Sequence, residues 1–354
     1  MHPDVIYIDT SEKLQDACYE FNKQTILGVD IECENNLHHY GAYISIIQVS
    51  TKEQNYIIDV MLLKNIDSFL NILKDNNIEK IFHGCDFDLR ILNTEFKTKV
   101  KNIFDTQIAS QLIGIREFGL GSLLEHYLGV EKKDKFQMAD WTKRPLTKDM
   151  LTYAVKDSMY MIKLKDILKN SLEKLGRLEI FKEECAYFEN KEHILEKPTF
   201  FDLSGLREME PRDLAVLKEL YELRETYARI VNRPVHFIIN TKKMKLISSK
   251  TDMTLNDWKT MKGVHPIVKR KADKFFDAYK KGLTKEIIIP KNSYKKLTKE
   301  QRNFMNSLDE KRKDVANKLD IEPFLILNKD QMLDITLTQN YNSLRNWQKK
   351  LIET

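Results

Sequence analysis

Strand-like runs alternate with helical ones up to about residue 110, and then the strand-like runs stop. In a chain of 354 residues this marks a change of fold class within one polypeptide. Val5-Ile6-Tyr7-Ile8 predicts a strand, and Thr10 or Ser11 caps a predicted helix through about Asn22. Residues 25–32, rich in β-branched side chains, predict a second strand. Residues 42–49 and 54–59 predict two more around a turn at Thr51-Lys52. Residues 66–76 read as helix, 80–83 as a short strand and 87–94 as helix. Strands mixed with crossover helices call for an α/β layer fold. Residues 106–112, 121–128 and 148–175 then predict helices, the last capped by Thr147. Residues 191–206 read as a linker, followed by two all-helical blocks at 207–285 and 295–354, parted at Pro290. Each block has a long helix with an Arg near its end (Arg224, Arg312). A turn and an aliphatic pair follow (Ile238-Ile239, Ile326-Leu327), the pattern of a diverged repeat.

Charge divides along the same line. Residues 1–190 carry 24 Lys and Arg against 30 Asp and Glu, a balance of −6. Residues 191–354 carry 34 against 23, a balance of +11. Acidic groups in the first half can hold metal and basic groups in the second can hold phosphate, although basic helices also occur simply as solvated faces. No apolar run approaches the ~18–20 residues of a membrane span. Met1-His2-Pro3-Asp4 lacks the pattern of a signal peptide. Cys18, Cys33, Cys85 and Cys185 are far apart with no CxxC pair, so reduced thiols in a cytoplasmic protein are expected.

Asp30 and Glu32 interrupt an apolar strand two residues apart, which places both on one face. Neighbouring carboxylates repel unless a cation lies between them, and hard oxygen ligands suit Mg²⁺ or Mn²⁺. A solvated strand face would show the same pair. Tyr153 and Asp157 are four residues apart in a predicted helix and share a face. In His83-Gly-Cys-Asp-Phe-Asp88-Leu a strand gives way to a helix, where open α/β sheets place their sites. Asp86 there can be the helix N-cap, with Asp88 in the first turn. Four acidic positions on three elements, with one tyrosine, fit a two-metal phosphodiester site.

These pieces, with Phe104-Asp-Thr106 and Ala139-Asp-Trp-Thr-Lys-Arg-Pro-Leu146, resemble the tyrosine-bearing branch of the DEDD exonucleases, the ribonuclease D kind. Motif order and spacing agree over about residues 1–180. The helical blocks are similar to HRDC domains. The first carries Arg224, Pro234 and Ile238-Ile239, and the second is supported mainly by Asn346-Trp347-Gln348. The resemblance implies a ribonuclease H-like mixed-sheet exonuclease domain at 1–190, followed by two HRDC-like domains. It implies two divalent ions, Mg²⁺ or Mn²⁺. Asp30 bridges them, Glu32 and Asp157 complete one site, and Asp88 helps hold the other. Tyr153 orients the attacking water. Asp88 is preferred to Asp86 for its distance from His83 and the Leu that follows it.

The implied substrate is RNA, cut from single-stranded 3′ ends to nucleoside 5′-monophosphates, with tRNA precursors among the candidates. Gln48 and His83 are expected near the terminal nucleotide, and Lys135, Gln137 and Arg144 along the strand path. Trp141 reads as a packing residue, and His38-His39-Tyr40 has no assigned role. Preference for RNA comes only from the resemblance. A DNA 3′–5′ exonuclease, or a nucleic-acid-binding scaffold on an inactive nuclease fold, shares the same pattern.

Overall fold

The computed structural model describes residues 4–63, 65–131, 136–289 and 297–352. Lys135 and the Pro290 boundary lie outside the described residues. Strands β1 (Val5–Ile8), β2 (Ile26–Asn35), β3 (Ala42–Ser50), β4 (Asn55–Asp59), β5 (Glu79–Phe82) and β6 (Ile103–Asp105) form one sheet. Their order is β1-β4-β3-β2-β5-β6, so β2 runs through the interior of the sheet. Pairing is parallel for β1–β4, β2–β5 and β5–β6 and antiparallel for β3–β4. The sequence pattern did not signal β6, which is only three residues long.

Interleaved with the strands are α1 (Ser11–Phe21), α2 (Asp67–Lys74) and α3 (Asp86–Phe96). After β6 come α4 (Thr106–Leu112), α5 (Leu120–Leu128), α6 (Lys148–Met159), α7 (Met161–Lys174) and α8 (Leu178–Asn190). Period-two alternation along β2 sends Leu27, Val29 and Ile31 into a core shared with Phe21 of α1 and Phe69 of α2. The intervening Gly28, Asp30 and Glu32 take the other face. The single helix expected over 148–175 is two helices, broken at Tyr160. The reason lies in the sheet: α6 packs on β1 and β4 while α7 packs on β5 and α4, and one straight helix cannot follow both across a twisted surface.

The chain forms two compact units, whose boundaries differ from the expected ones. One comprises residues 1–33, 44–195 and 295–354; the other comprises 34–43 and 196–294. In the second unit α9 (Pro211–Ile230), α10 (Val235–Ile238), α11 (Thr241–Ser248), α12 (Leu255–Thr260), α13 (Pro266–Arg270) and α14 (Ala272–Leu283) surround Trp258, Phe275 and Tyr279. Tyr40, from the segment after β2, donates its hydroxyl to Glu225 at 3.1 Å and lies under the Arg229 guanidinium. His38-His39-Tyr40 therefore fastens to the first helical block.

In the first unit the second helical block is built from α15 (Lys299–Leu319), α16 (Pro323–Ile326), α17 (Lys329–Thr338) and α18 (Asn346–Ile352). It docks on α8. Glu183 accepts from the backbone N–H groups of Asn346 (2.5 Å) and Trp347 (3.2 Å). Glu184 accepts from Trp347 Nε1 at 2.7 Å and pairs with Arg345 at 3.0 Å. Arg116 reaches Asp320 and Glu322, each at 3.0 Å. Ile180 of α8 completes the block's apolar core. Among the described residues, no helix is long and apolar enough to cross a membrane.

Candidate active site

Three carboxylates converge from two elements. One oxygen each of Asp30 and Glu32 on β2 and Asp157 on α6 lie within 4.8 Å of one another. Two local features bring α6 this close. A Cβ at Gly28 would stand 2.7 Å from the carbonyl oxygen of Ser158, so only glycine lets the helix backbone settle on β2 there. Ser158 and Ser50 of β3 then share a buried hydroxyl–hydroxyl bond of 2.7 Å, which holds the helix in place. Buried Asp157 adjoins Ser158 and is thereby carried to the strand carboxylates.

Asp88 enters from the start of α3. Burial, and next the negative charge of Asp30, push its carboxyl well above the usual range; Asp105 and Asp86 add to this. Asp86 is not the N-cap of α3, which is Cys85. Its carboxylate instead pairs with Arg90 and, at 3.5 Å, with Lys191. The turn before α3 is fixed by Asp105, for which the sequence reading assigned no role. Asp105 accepts from Gly84 N (3.0 Å) and Cys85 N (2.7 Å) and also caps α4 through Gln107 N (2.8 Å) and Ile108 N (3.2 Å). One buried carboxylate thus ties β6, α4 and the turn that presents Asp88. Its signal was an Asp immediately before a predicted helix. His83 Nδ1 meets Thr106 Oγ1 at 2.9 Å, which orients the ring on the same turn.

Tyr153 lies one turn before Asp157 on α6. Its ring packs against Phe136 (centroids 5.6 Å apart) and Trp141 (6.1 Å), so the 136–146 segment shelves over the tyrosine. Trp141 is buried, consistent with a packing role. Among the other expected substrate contacts, Gln137 is exposed and Gln48 is 0 % exposed, enclosed on the sheet face that α6 covers. Gln48 follows Ile46 by two residues and so shares its inward face, away from solvent. Arg144 is held by Asp59: Nη2 lies 2.8 Å from one carboxylate oxygen and Nε bonds the other, while Nη1 donates to Trp141 O at 2.7 Å. These contacts make Arg144 an anchor of its loop. The structure therefore brings Asp30, Glu32 and Asp157 together, with Asp88 near enough to interact with Asp30, Tyr153 one turn from Asp157 and His83 on the turn before Asp88; Gln48 and Arg144 do not lie at an open surface.

The carboxylate set fits hard divalent cations. Three oxygens from separate side chains at this spacing repel one another, and an ion between them relieves that repulsion.

Residues 5–173 match a 3′–5′ exonuclease family model, and residues 213–278 match an HRDC domain model. The chain thus carries a 3′–5′ exonuclease domain followed by an HRDC domain. Its architecture matches Escherichia coli RNase D with a TM-score of 0.75 and 20 % identity, covering 99 % of this chain and 96 % of that one. The catalytic core of RRP6 from Trypanosoma brucei superposes with a TM-score of 0.71 at 24 % identity, over 80 % of each chain. Among curated proteins, RRP6-like 2 of Arabidopsis thaliana is 27 % identical over 284 residues, 75 % of this chain and 32 % of that protein. The exosome complex exonuclease RRP6 of Saccharomyces cerevisiae is 32 % identical over 174 residues, 49 % of this chain and 24 % of its own length. The chain thus spans about a third or less of these longer relatives.

Proposed function

We propose that this ribonuclease D-like chain hydrolyses RNA from the 3′ end, releasing nucleoside 5′-monophosphates by a two-metal-ion mechanism. The observation that carries this reading is the meeting of Asp30, Glu32 and Asp157 within 4.8 Å. Asp88, which interacts with Asp30, and Tyr153, one turn before Asp157, complete the site in this reading. Asp30, Glu32, Asp157 and Asp88 would hold the divalent ions. Divalent ions bound there supply positive charge to the attacking and leaving oxygens and make water more acidic. Tyr153 orients the attacking water through its hydroxyl. His83 stands on the turn that presents Asp88, within reach of the terminal nucleotide. Single-stranded 3′ ends of structured RNAs, tRNA precursors among them, are the substrates we put forward, with the cytoplasm as the place of action.

The test uses matched 5′-labelled RNA and DNA with the full chain in Mn²⁺ or Mg²⁺. RNA should shorten one nucleotide at a time from its 3′ end. Asp30→Asn and Asp157→Asn should nearly abolish this, and Tyr153→Phe should lower kcat by roughly 10²-fold. Faster cutting of DNA would overturn the RNA preference. Binding without any hydrolysis would leave a nucleic-acid scaffold.

A further inference from the structure

The second helical block does not close completely on the nuclease fold. A cleft of about 240 Å³ remains between α4, α8, α16 and α18. Gly84, in the turn leading to Asp88, lies at its edge with φ +72°. A Cβ there would approach Gln107 Oε1 to 3.1 Å, so the Gln107 amide rests directly on this turn. Gln111 lies four residues further along α4, on the same helix face. Both are half-buried, and no side-chain hydrogen bond ties either amide to the described residues. Phe324 of α16 lines the same cleft with 45 % of its surface exposed. The cleft thus combines an uncovered aromatic ring with two amides that have unused donors and acceptors.

We propose that this cleft receives an unpaired nucleobase of the RNA, upstream of the 3′ end being cut. The inference rests on the exoribonuclease reading above. A base is a flat apolar disc with donors and acceptors on its edge. Proteins that read single strands stack such discs on aromatic rings and meet the edges with polar side chains. Phe324 supplies the ring, and Gln107 and Gln111 supply groups that both donate and accept. A glutamine amide is suited to adenine, whose N6 and N7 present a donor beside an acceptor. A phosphate is a poorer occupant. Arg345, the cation lining the cleft, already pairs with Glu184 at 3.0 Å and lies over the Tyr187 ring at 4.0 Å. Asp86 and Glu184 add negative charge to the same walls. The base therefore enters while the sugar–phosphate chain stays outside.

The experiment uses the full-length protein in Ca²⁺, to allow binding without cutting. Single-stranded RNAs carry one 2-aminopurine, an adenine analogue, at successive positions from the 3′ end. Stacking on Phe324 should quench one interior position more than its neighbours, and Phe324→Ala should remove that quench. Gln107→Ala with Gln111→Ala should weaken RNA binding about tenfold, within the range for loss of one base contact. Melting temperatures of the variants check that each is folded. An RNA position quenched equally by wild type and Phe324→Ala, with unchanged affinity in the glutamine variant, would overturn the proposal. If wild type binds RNA in Ca²⁺ and shortens it in Mn²⁺ while the variants behave identically, only the cleft assignment fails. If wild type neither binds nor shortens RNA, the exoribonuclease reading beneath it fails as well.

Discussion

The two helical blocks share a local design and differ in what they hold. In each, a long helix (α9 or α15) leads to a four-residue helix (α10 or α16) and one extended residue, Ile239 or Leu327. An asparagine then caps the next helix, Asn240 for α11 and Asn328 for α17. Their attachments differ. The first block groups with residues 34–43, whereas the second groups with the nuclease fold. Charge differs too: residues 207–285 carry 19 Lys and Arg against 10 Asp and Glu, and residues 295–354 carry 12 against 9. Most of the basic excess therefore belongs to the first block. The second applies its polar groups to α8, where Glu183 and Glu184 face Arg345, Trp347 and the start of α18. A repeated helical motif can thus concentrate positive charge in one copy and act as a buttress in the other, according to its surface chemistry.

The largest expected effect separates the blocks by their tryptophans. Trp347 is 7 % exposed and bonded to α8, while Trp258 is 0 % exposed in the first block's core. Trp347→Ala should destabilise the nuclease unit by ~3–5 kcal/mol and lower its melting temperature together with activity on short RNA. Trp258→Ala should unfold the first block at similar cost while short-RNA hydrolysis largely persists. Calorimetry beside a trinucleotide assay checks both; equal loss of short-RNA activity would erase the distinction between the blocks.

A second expectation concerns capture. Neutralising the exposed Lys242, Lys269, Arg270 and Lys274 should flatten the slope of log K against log salt by roughly 3 if all four meet phosphates. Neutralising Lys318 and Lys329 of the second block should change it little. Titrations in Ca²⁺ at several salt concentrations provide the slopes, and equal flattening per charge in both blocks would break the comparison.

A third test probes the repulsion that the nuclease unit contains. Asp88 is held above the usual carboxylate range by burial and by Asp30. A group raised in this way favours the folded state while protonated and opposes it once ionised. The metal-free protein should therefore lose stability as pH rises above ~4 through the folded value of Asp88. Asp88→Asn should melt a few degrees higher in EDTA, and its advantage should grow over that interval and then level off. A constant advantage at every pH would mean that ionisation of Asp88 is not the source. The smallest effect is expected at the dock: Glu183→Gln should cost about 1 kcal/mol, as for other helix caps, and show in the melting of the metal-free nuclease unit. No change would mean that apolar packing alone holds the second block.

Local pattern in the sequence was enough to place Asp30 and Glu32 on one strand face, Tyr153 and Asp157 on one helix face, and Thr147 at the cap of α6. Each follows from a period of two or about four, or from one side chain and its nearest backbone. The repeat between the helical blocks was legible for the same reason. The tertiary structure decided what depends on residues far apart in the chain. Gly28 admits the Ser158 carbonyl, Asp59 takes the Arg144 guanidinium, α6 encloses Gln48, and Asp105 fixes the turn before Asp88. It also assigned the second block to the nuclease unit, through acids on α8 that resemble ordinary surface charges until their partners arrive. Periodicity reveals which face of an element is buried; only packing reveals against what, because complementarity between distant segments leaves no periodic trace in either one.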